Sequence, residues 1–339
     1  MTIDVLSGGP FLNDTLLAIL KVLDKQENIT GSREISRQLK SYGFDLTDRT
    51  VRYHLRILDE RGYTTVFGKE GRRITPNGRH ELANSHVAER IGFVSSKIEA
   101  LSYQTKFDPE SQTGSVILNI SCIPEANLRE ALRIMAPVFS SPFVMSDRIV
   151  LRHSGERIGD AIIPEGKAGI GTVCSVTING VFLKAGISVN SRFGGVVEIR
   201  DGKPSRFVAL ISYEGSSVDP LEIFIRSRMT DVVGALQSEG GRILASFREI
   251  PVVCLEEARR LSARMSELGF GGVLLMGNPN RSLLEVPVGL DKTGIVIVGG
   301  LNPIAALEES GIPTESKAMS TLINFAALER FSDVAGRIA

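Results

Sequence analysis

The spacing of apolar residues changes along this chain and separates an N-terminal helical part from a longer part with strands. Leucines at positions 16, 17, 20 and 23 predict a first helix, and Ile35 and Leu39 predict a second helix with Ser32 as its N-cap. A third helix is predicted after Thr47, a residue type that favours N-caps, because Val51, Leu55 and Leu58 recur at i, i+4 and i+7.

A hairpin is predicted directly after the third helix. Gly62 ends the helix, residues 63–67 are β-branched or aromatic, residues 68–71 turn, and residues 72–75 return. Three helices followed by a hairpin are the order of a winged helix-turn-helix, mostly α with a β wing. We assign it to residues 1–83.

The polar face of the third helix and the wing carry the residue types that reach phosphates and base edges. Residues 45–79 hold eight Lys or Arg against five Asp or Glu. The alternative for the helix face is an ordinary solvated surface, but the order of elements favours DNA binding. The predicted DNA-binding residues are Arg49, Thr50, Arg52, Tyr53, Arg56, Lys69, Arg72 and Arg73.

Residues 84–114 are predicted to connect this unit to the rest of the chain. A helix that opens at Thr75-Pro76 is predicted to continue irregularly to Leu101, either as a connecting or dimerising helix or as a simple spacer. The polar segment from Gln104 to Gly114 is the predicted linker.

The C-terminal part contains two blocks that recur in the same order. Residues of VILNISCIPEANLREALRIM meet residues of ILASFREIPVVCLEEARRL at an offset of 127, and a second glycine-rich block recurs at an offset of 123 to 125. We interpret this as an α/β (α+β) regulatory domain of two duplicated lobes. The first spans 115–238 and the second 239–339.

Each predicted lobe has a glycine-rich strand that leads into a helix start, at Thr177 and at Asn302. Such helix starts bind anions, and Arg192 beside two glycines is able to hold a carboxylate; a β-bulge with a surface arginine is the open alternative. We expect the two lobes to close around a small anion. The candidate effector residues are Gly169, Gly171, Ser175, Thr177, Arg192, Gly194, Gly195, Gly299, Gly300 and Asn302.

Composition narrows the function classes. The 39 basic and 39 acidic residues cancel, and three widely spaced cysteines argue against disulfides and a zinc site. Only His153 lies in the last 225 or so residues, so a histidine-based catalytic or metal site lacks residues there. We therefore expect a cytoplasmic protein with no membrane partner, catalytic residue, metal or cofactor. A DNA-binding platform fused to an enzyme, or to a structural oligomerisation domain, is the alternative.

The order of winged helix, IGTVCSVTINGVFLKAGISVNSRFGGVVEI, SYEGSSVDPLEIFI and FREIP resembles the NrpR family of nitrogen-regulatory repressors across nearly the whole chain. The resemblance implies a repressor of nitrogen-assimilation genes that binds a double-stranded operator as a homo-oligomer, at least a dimer. It also implies that the small anionic metabolite is 2-oxoglutarate, which releases the DNA. Many members have two consecutive regulatory domains, whereas this chain has one.

Overall fold

The computed structural model describes residues 14–26, 28–85, 93–237 and 240–338. The chain divides into two compact units, Met1–Ile91 and Gly92–Ala339. Each unit has its own buried core, and each is described by itself below.

The first unit has the predicted order of helices followed by a hairpin. Its described elements are α1 (Asp14–Asp24), α2 (Ser32–Leu39), α3 (Asp48–Glu60), β1 (Thr64–Phe67), β2 (Gly71–Ile74) and α4 (Pro76–Ser85). The α3 helix begins where the sequence predicts, because the Thr47 hydroxyl accepts a hydrogen bond from the Thr50 amide at 3.2 Å. The α2 helix differs in one detail, since Gly31 is its N-cap and Ser32 its first residue.

The core of this unit forms because the apolar stripes of three helices face one another. Val51, Leu55 and Leu58 of α3 are fully buried with Ile35 and Leu39 of α2, and α1 covers them. The wing is an antiparallel hairpin in which β1 pairs with β2, and its second strand also bridges to Thr30. These features confirm the winged-helix prediction.

The predicted helix from Thr75 to Leu101 is not continuous. Phe93 has an extended backbone and caps a separate helix, α5 (Val94–Gln104), which packs by Val94 and Ile98 within the second unit. Residues 86–92, which the prediction also covers, lie outside the described part of the chain.

The second unit is a mixed α/β fold. Its further helices are α6 (Leu128–Phe139), α7 (Val176–Lys184), α8 (Pro220–Arg226), α9 (Val232–Ala235), α10 (Leu255–Glu267), α11 (Asn302–Glu309) and α12 (Phe331–Ile338). Its strands are β3 (Ser115–Pro124), β4 (Arg148–Arg152), β5 (Arg157–Ile158), β6 (Ala161–Ile162), β7 (Lys167–Val173), β8 (Asn190–Arg200), β9 (Lys203–Ser212), β10 (Gly241–Pro251), β11 (Val273–Met276), β12 (Lys292–Val298), β13 (Glu315–Asn324) and β14 (Glu329–Arg330).

Two antiparallel five-stranded sheets organise this unit. The first has the order β13-β3-β7-β4-β14 and the second the order β11-β12-β10-β8-β9. Pairing recurs between them: Leu118 lies opposite Val173 in the first sheet, and Ala245 lies opposite Val298 in the second. The partners in the second pair stand 127 and 125 residues after those in the first, which matches the sequence offsets.

Neither sheet follows the predicted lobe boundaries. Strand β8, from the span 115–238, pairs with β10, and strand β13, from the span 239–339, pairs with β3. Each sheet therefore contains strands from both predicted lobes.

The segment predicted as a linker is folded into the second unit. Phe107 is fully buried and its ring lies 5.1 Å from that of Phe270 and 4.8 Å from that of Phe325. Asp108 turns the chain by accepting hydrogen bonds from the Glu110 amide and the Ser111 hydroxyl. Its one aromatic residue thus anchors an otherwise polar segment.

Candidate functional site

The face of α3 opposite its buried stripe is accessible along its length. Arg49, Arg52, Tyr53 and Arg56 are exposed, and 58% of Tyr53 is accessible to solvent. Thr50 is half-buried, with its hydroxyl 2.9 Å from that of Thr47. The helix periodicity that buries the aliphatic stripe places the predicted contact residues together on the other side.

Two of these arginines are paired along the helix. Arg52 contacts the Asp48 carboxylate at 2.6 Å, and Arg56 approaches Glu60 at 3.7 Å. The Ser32 hydroxyl and the Arg52 guanidinium hold the pKa of Asp48 below its ordinary value. Both pairs are solvent-exposed, so exchanging the acidic partner for a DNA phosphate costs little.

The three cations of the wing differ in exposure and pairing. Lys69 and Arg73 are exposed and have no ion pair with any residue that the structure describes; Arg73 lies over the exposed Phe67 ring at 5.5 Å. Arg72 differs, because its guanidinium is held by Asp59 of α3 at 2.9 Å and is largely buried. The structure therefore places Arg72 as a tie between wing and helix, in contrast to the phosphate contact predicted for it.

Arg33, which sequence reasoning omitted, extends the basic surface. It is exposed in the first turn of α2, and its charge is near enough to the start of α3 to lower the pKa of Asp48. Arg33 could have been inferred from the sequence, because it follows the residue predicted as the N-cap of α2 and helix starts contact phosphates.

The candidate effector glycines lie in packed strands and turns. All six are buried, at positions 169, 171, 194, 195, 299 and 300. A side chain on Gly194 would collide with Pro220, and one on Gly300 would collide with the Val173 carbonyl. These glycines therefore permit close packing of the backbone, and of the six only Gly300 lines one of the two cavities described below.

Thr177 and Asn302 occupy equivalent places and have their hydrogen bonds satisfied within the fold. The Thr177 hydroxyl accepts the Ile117 amide at 3.1 Å, and the Asn302 amide oxygen accepts the Leu244 amide at 2.8 Å. Both side chains are fully buried. The predicted caps are wrong in detail: α7 begins at Val176, and Asn302 is the first residue of α11, whose N-cap is Leu301.

Arg192 is an internal counter-ion. Its guanidinium contacts the Glu249 carboxylate at 2.7 Å and donates to the Pro287 carbonyl at 3.0 Å. The Glu249 side chain is only 6% exposed, and it also accepts the Gly289 amide at 3.0 Å. Arg192 thus neutralises a buried acid, and its guanidinium is already engaged within the fold.

A polar cluster that sequence reasoning missed lies at the start of α7, around Ser175. Arg248 of β10 is fully buried there and donates to the Ser175 carbonyl at 3.0 Å and to its hydroxyl at 2.8 Å. Burial raises the pKa of Cys174 to about 11 and that of Asp219 to about 6. The signal in the sequence was the charged pair at positions 248 and 249 inside an otherwise apolar strand.

A narrow cavity passes between the starts of α7 and α11. Its lining includes Ser175, Asp219 and Leu301, together with Ile98 of α5. A wider cleft on the other side of Ile98 is lined by Ser191 and Arg192 of β8 and by Glu99 of α5. Helix α5 therefore forms a wall of both cavities.

Among the described residues there is no group of three or more His, Cys, Asp or Glu able to hold a metal ion. Within those residues, no helix is long and apolar enough to cross a membrane.

Comparison with known families and proteins gives consistent matches. The family described as NrpR regulatory domains NRD1 and 2 matches residues 91–330, and the ribonuclease R winged-helix domain matches residues 17–82. The global nitrogen regulator NrpRI of Methanosarcina mazei is 37% identical over 320 residues, which are 94% of this chain and 98% of that protein.

Two further comparisons concern a longer relative and a solved structure. The global nitrogen regulator NrpR of Methanocaldococcus jannaschii is 32% identical over 94% of this chain, which spans 55% of that relative's length. The crystal structure of a nitrogen repressor-like protein from Methanococcus jannaschii has a TM-score of 0.61 and 30% sequence identity. It covers 71% of this chain and 100% of its own.

Proposed function

The chain belongs to the NrpR family of nitrogen regulators, and on that premise we propose that it is a cytoplasmic repressor of nitrogen-assimilation genes. It binds a double-stranded operator through its winged helix, as at least a dimer. A small dicarboxylate, 2-oxoglutarate, binds the second unit and lowers the affinity for the operator.

One observation carries the DNA-binding part of the proposal. The α3 helix buries Val51, Leu55 and Leu58 and displays Arg49, Tyr53 and Arg56 on its open face. Exposed arginines on the second helix of a helix-turn-helix are suited to the major groove, and the exposed wing cations Lys69 and Arg73 are suited to phosphates.

The dimer follows from the size of this surface. One recognition helix contacts too few base pairs for genomic specificity, and two copies that read half-sites about one DNA turn apart supply the remainder. We expect the mass in solution to be at least twice that of one chain. Protection of a single asymmetric half-site by a monomer would exclude this arrangement.

Replacing Arg56 tests the base-reading assignment. Arg56→Ala removes a side chain able to donate to one base pair, so operator affinity falls by about 1–3 kcal/mol and preference at that base pair is lost. Arg133→Ala is the matched control, because Arg133 is similarly exposed and also pairs with an acid on its own helix, in the second unit. Operator titration with single-base variants measures both. Uniform weakening on every operator variant would contradict the assignment.

We also propose that the second unit arose by internal duplication. The recurrence of strand pairing at the sequence offsets supports this origin, as does the shared role of Thr177 and Asn302 in fastening a helix start to a neighbouring strand.

An enzymatic role has no support in the chemistry of the second unit. Cys174 lies beside a helix start, where thiols are often activated, but burial raises its pKa to about 11 and leaves it a thiol at neutral pH. The relatives of this chain are named as regulators. Operator release by 2-oxoglutarate without turnover is the expected result. A ligand that binds and leaves operator affinity unchanged would refute the coupling.

A further inference from the structure

Arg248 is a buried cation whose hydrogen-bond partners are all neutral. It is 1% exposed, and its guanidinium donates to the Ser175 carbonyl, to the Ser175 hydroxyl and to the amide oxygen of Asn179. Its Nε has no hydrogen-bond partner among the residues that the structure describes. No carboxylate of the described residues forms an ion pair with it, whereas the nearby Arg192 has Glu249.

This arrangement is unfavourable for a cation. Buried charges are normally paired, and arginine keeps its proton even where burial lowers its pKa, as burial does for Arg248. Arg248 also lies at the N-terminal end of α7, where the helix dipole is positive and favours an anion. The Arg248 guanidinium and the positive N-terminal end of α7 thus lie together in the interior without a counter-charge.

The fold itself does not require this charge. The position that corresponds to Arg248 in the other half of the unit is Ser121, whose hydroxyl lies 2.8 Å from that of Ser316. Arg248 pairs in register with Ser191, as Ser121 pairs with Ser316. The same strand pairing is therefore built once with a neutral residue and once with a buried arginine.

The surroundings offer a route by which a ligand affects α5. Ser175, which accepts two of the Arg248 bonds, lines the narrow cavity beside Ile98. Asn179, which accepts the third bond, donates to the Ser191 hydroxyl at 3.0 Å, and Ser191 lines the wider cleft. Arg248 itself lines neither cavity, and the narrow cavity has a volume of only about 10 Å³, so an anion reaches Arg248 only if the α5 wall moves.

We propose that Arg248, with Ser175 and Asn179 holding its guanidinium, is the subsite that binds one carboxylate of the small anionic effector. The ligand supplies the counter-charge that the fold lacks, and α5 shifts to admit it. This proposal rests on the effector control proposed above and names the residue that carries it.

The test compares 2-oxoglutarate binding to the full chain and to an Arg248→Met variant by calorimetry. Methionine keeps much of the side-chain volume and removes the charge, so binding should weaken by at least tenfold. Arg248→Lys keeps the charge but loses the planar fork and should bind with intermediate affinity. Arg206→Met is the matched control, because it removes an exposed arginine of β9 that pairs with Glu198, and it should bind normally.

Thermal melting provides a second readout on the same variants. Ligand should raise the melting temperature of the wild-type chain and of Arg206→Met, and should leave that of Arg248→Met unchanged. Should Arg248→Met fail to fold, Ser175→Ala takes its place. It removes one bond that orients the guanidinium, and should weaken binding about three- to tenfold.

The outcomes separate this inference from the proposed function. Normal 2-oxoglutarate affinity in the Arg248 variants, or in Ser175→Ala where that variant takes their place, overturns the inference and leaves effector control intact. Arg248-dependent binding that does not change operator affinity supports the inference and refutes the control. If the wild-type chain binds none of 2-oxoglutarate, glutamate, succinate or inorganic sulfate, the subsite itself is refuted.

Discussion

The ion pair between Arg72 and Asp59 ties the wing to α3, and removing it should loosen the wing. The Arg72 guanidinium donates to both Asp59 carboxylate oxygens, at 3.1 and 2.9 Å through Nε, and the Thr64 hydroxyl donates to the same acid at 2.5 Å. Arg72→Ala leaves Asp59 with one hydrogen bond and no cation.

The size of the effect follows from the burial of the pair. The two side chains are 20% and 18% exposed, so the pair lies between a surface salt bridge and a fully buried one. A surface pair contributes about 0–1 kcal/mol, and breaking a fully buried pair costs about 3–5 kcal/mol. We therefore expect the local opening free energy of the wing to fall by about 1–3 kcal/mol.

Hydrogen exchange on the full chain measures this loss. Amides of β1 and β2 should exchange roughly 5 to 150 times faster in Arg72→Ala, since 1.4 kcal/mol corresponds to tenfold. Arg73→Ala, its exposed neighbour, should leave exchange unchanged and flatten the salt dependence of operator binding by about 0.9 units. An Arg72→Ala variant with wild-type exchange and a flattened salt slope would refute this reasoning and restore the phosphate role.

Two further predictions concern charges in the second unit. Arg192→Ala should lower the melting temperature because Glu249 is left buried without its cation. Adding Glu249→Gln should recover part of the loss. An Arg192→Ala variant as stable as the wild type would contradict this prediction. Burial raises the pKa of Asp219 to about 6, so its carboxyl is more easily protonated in the folded chain than in the unfolded chain, where the value is about 3.9. Its contribution to stability should therefore fall as the pH rises from about 4 to about 6, and Asp219→Asn, which keeps an acceptor for the Leu221 amide, should abolish that slope in melts across this range.

The winged-helix unit could be predicted from the sequence because the residues that determine its helices lie close together in the chain. The apolar stripe of α3 and its Thr47 cap are sequence signals that lie within about four residues of one another. The burial that the structure shows follows from the spacing of that stripe. The Arg72 contact was not readable in this way. Whether a basic wing residue faces DNA or an acid 13 positions earlier depends on the register of the hairpin against the helix, which is a tertiary property.

The second unit was harder to predict from the sequence because its contacts are tertiary. The helices and glycine-rich strands near Thr177 and Asn302 were predicted to within a residue or two, but their partners Ile117 and Leu244 lie about 60 residues away. Arg248 was overlooked because the charged pair at positions 248 and 249 has no periodic pattern and does not show which strands flank it. Its burial becomes evident only when β10 is placed between β8 and β12.

The strand exchange between the two halves constrains how an effector acts on this unit. Moving the spans 115–238 and 239–339 apart, as closing lobes would require, breaks the pairing of β8 with β10 over nine residue pairs and of β13 with β3 over seven. At about 1 kcal/mol per backbone hydrogen bond, that cost exceeds the roughly 1.4 kcal/mol of differential binding needed for a tenfold loss of operator affinity. Among the described residues, helix α5 has fewer backbone hydrogen bonds to its neighbours than these strands have, although its Val94 and Ile98 are buried.

The polar ties of α5 to the rest of the unit are few. The Val94 amide donates to the Ser216 carbonyl at 2.9 Å, and the Lys97 ammonium donates to the Ala318 carbonyl at 3.2 Å. Burial, and then the nearby Lys317 charge, lowers the pKa of Lys97. Exchanging one such bond between two positions of α5 supplies an energy of about the required size. The effector control proposed above is therefore expected to act through α5, which is the first described helix after residues 86–92.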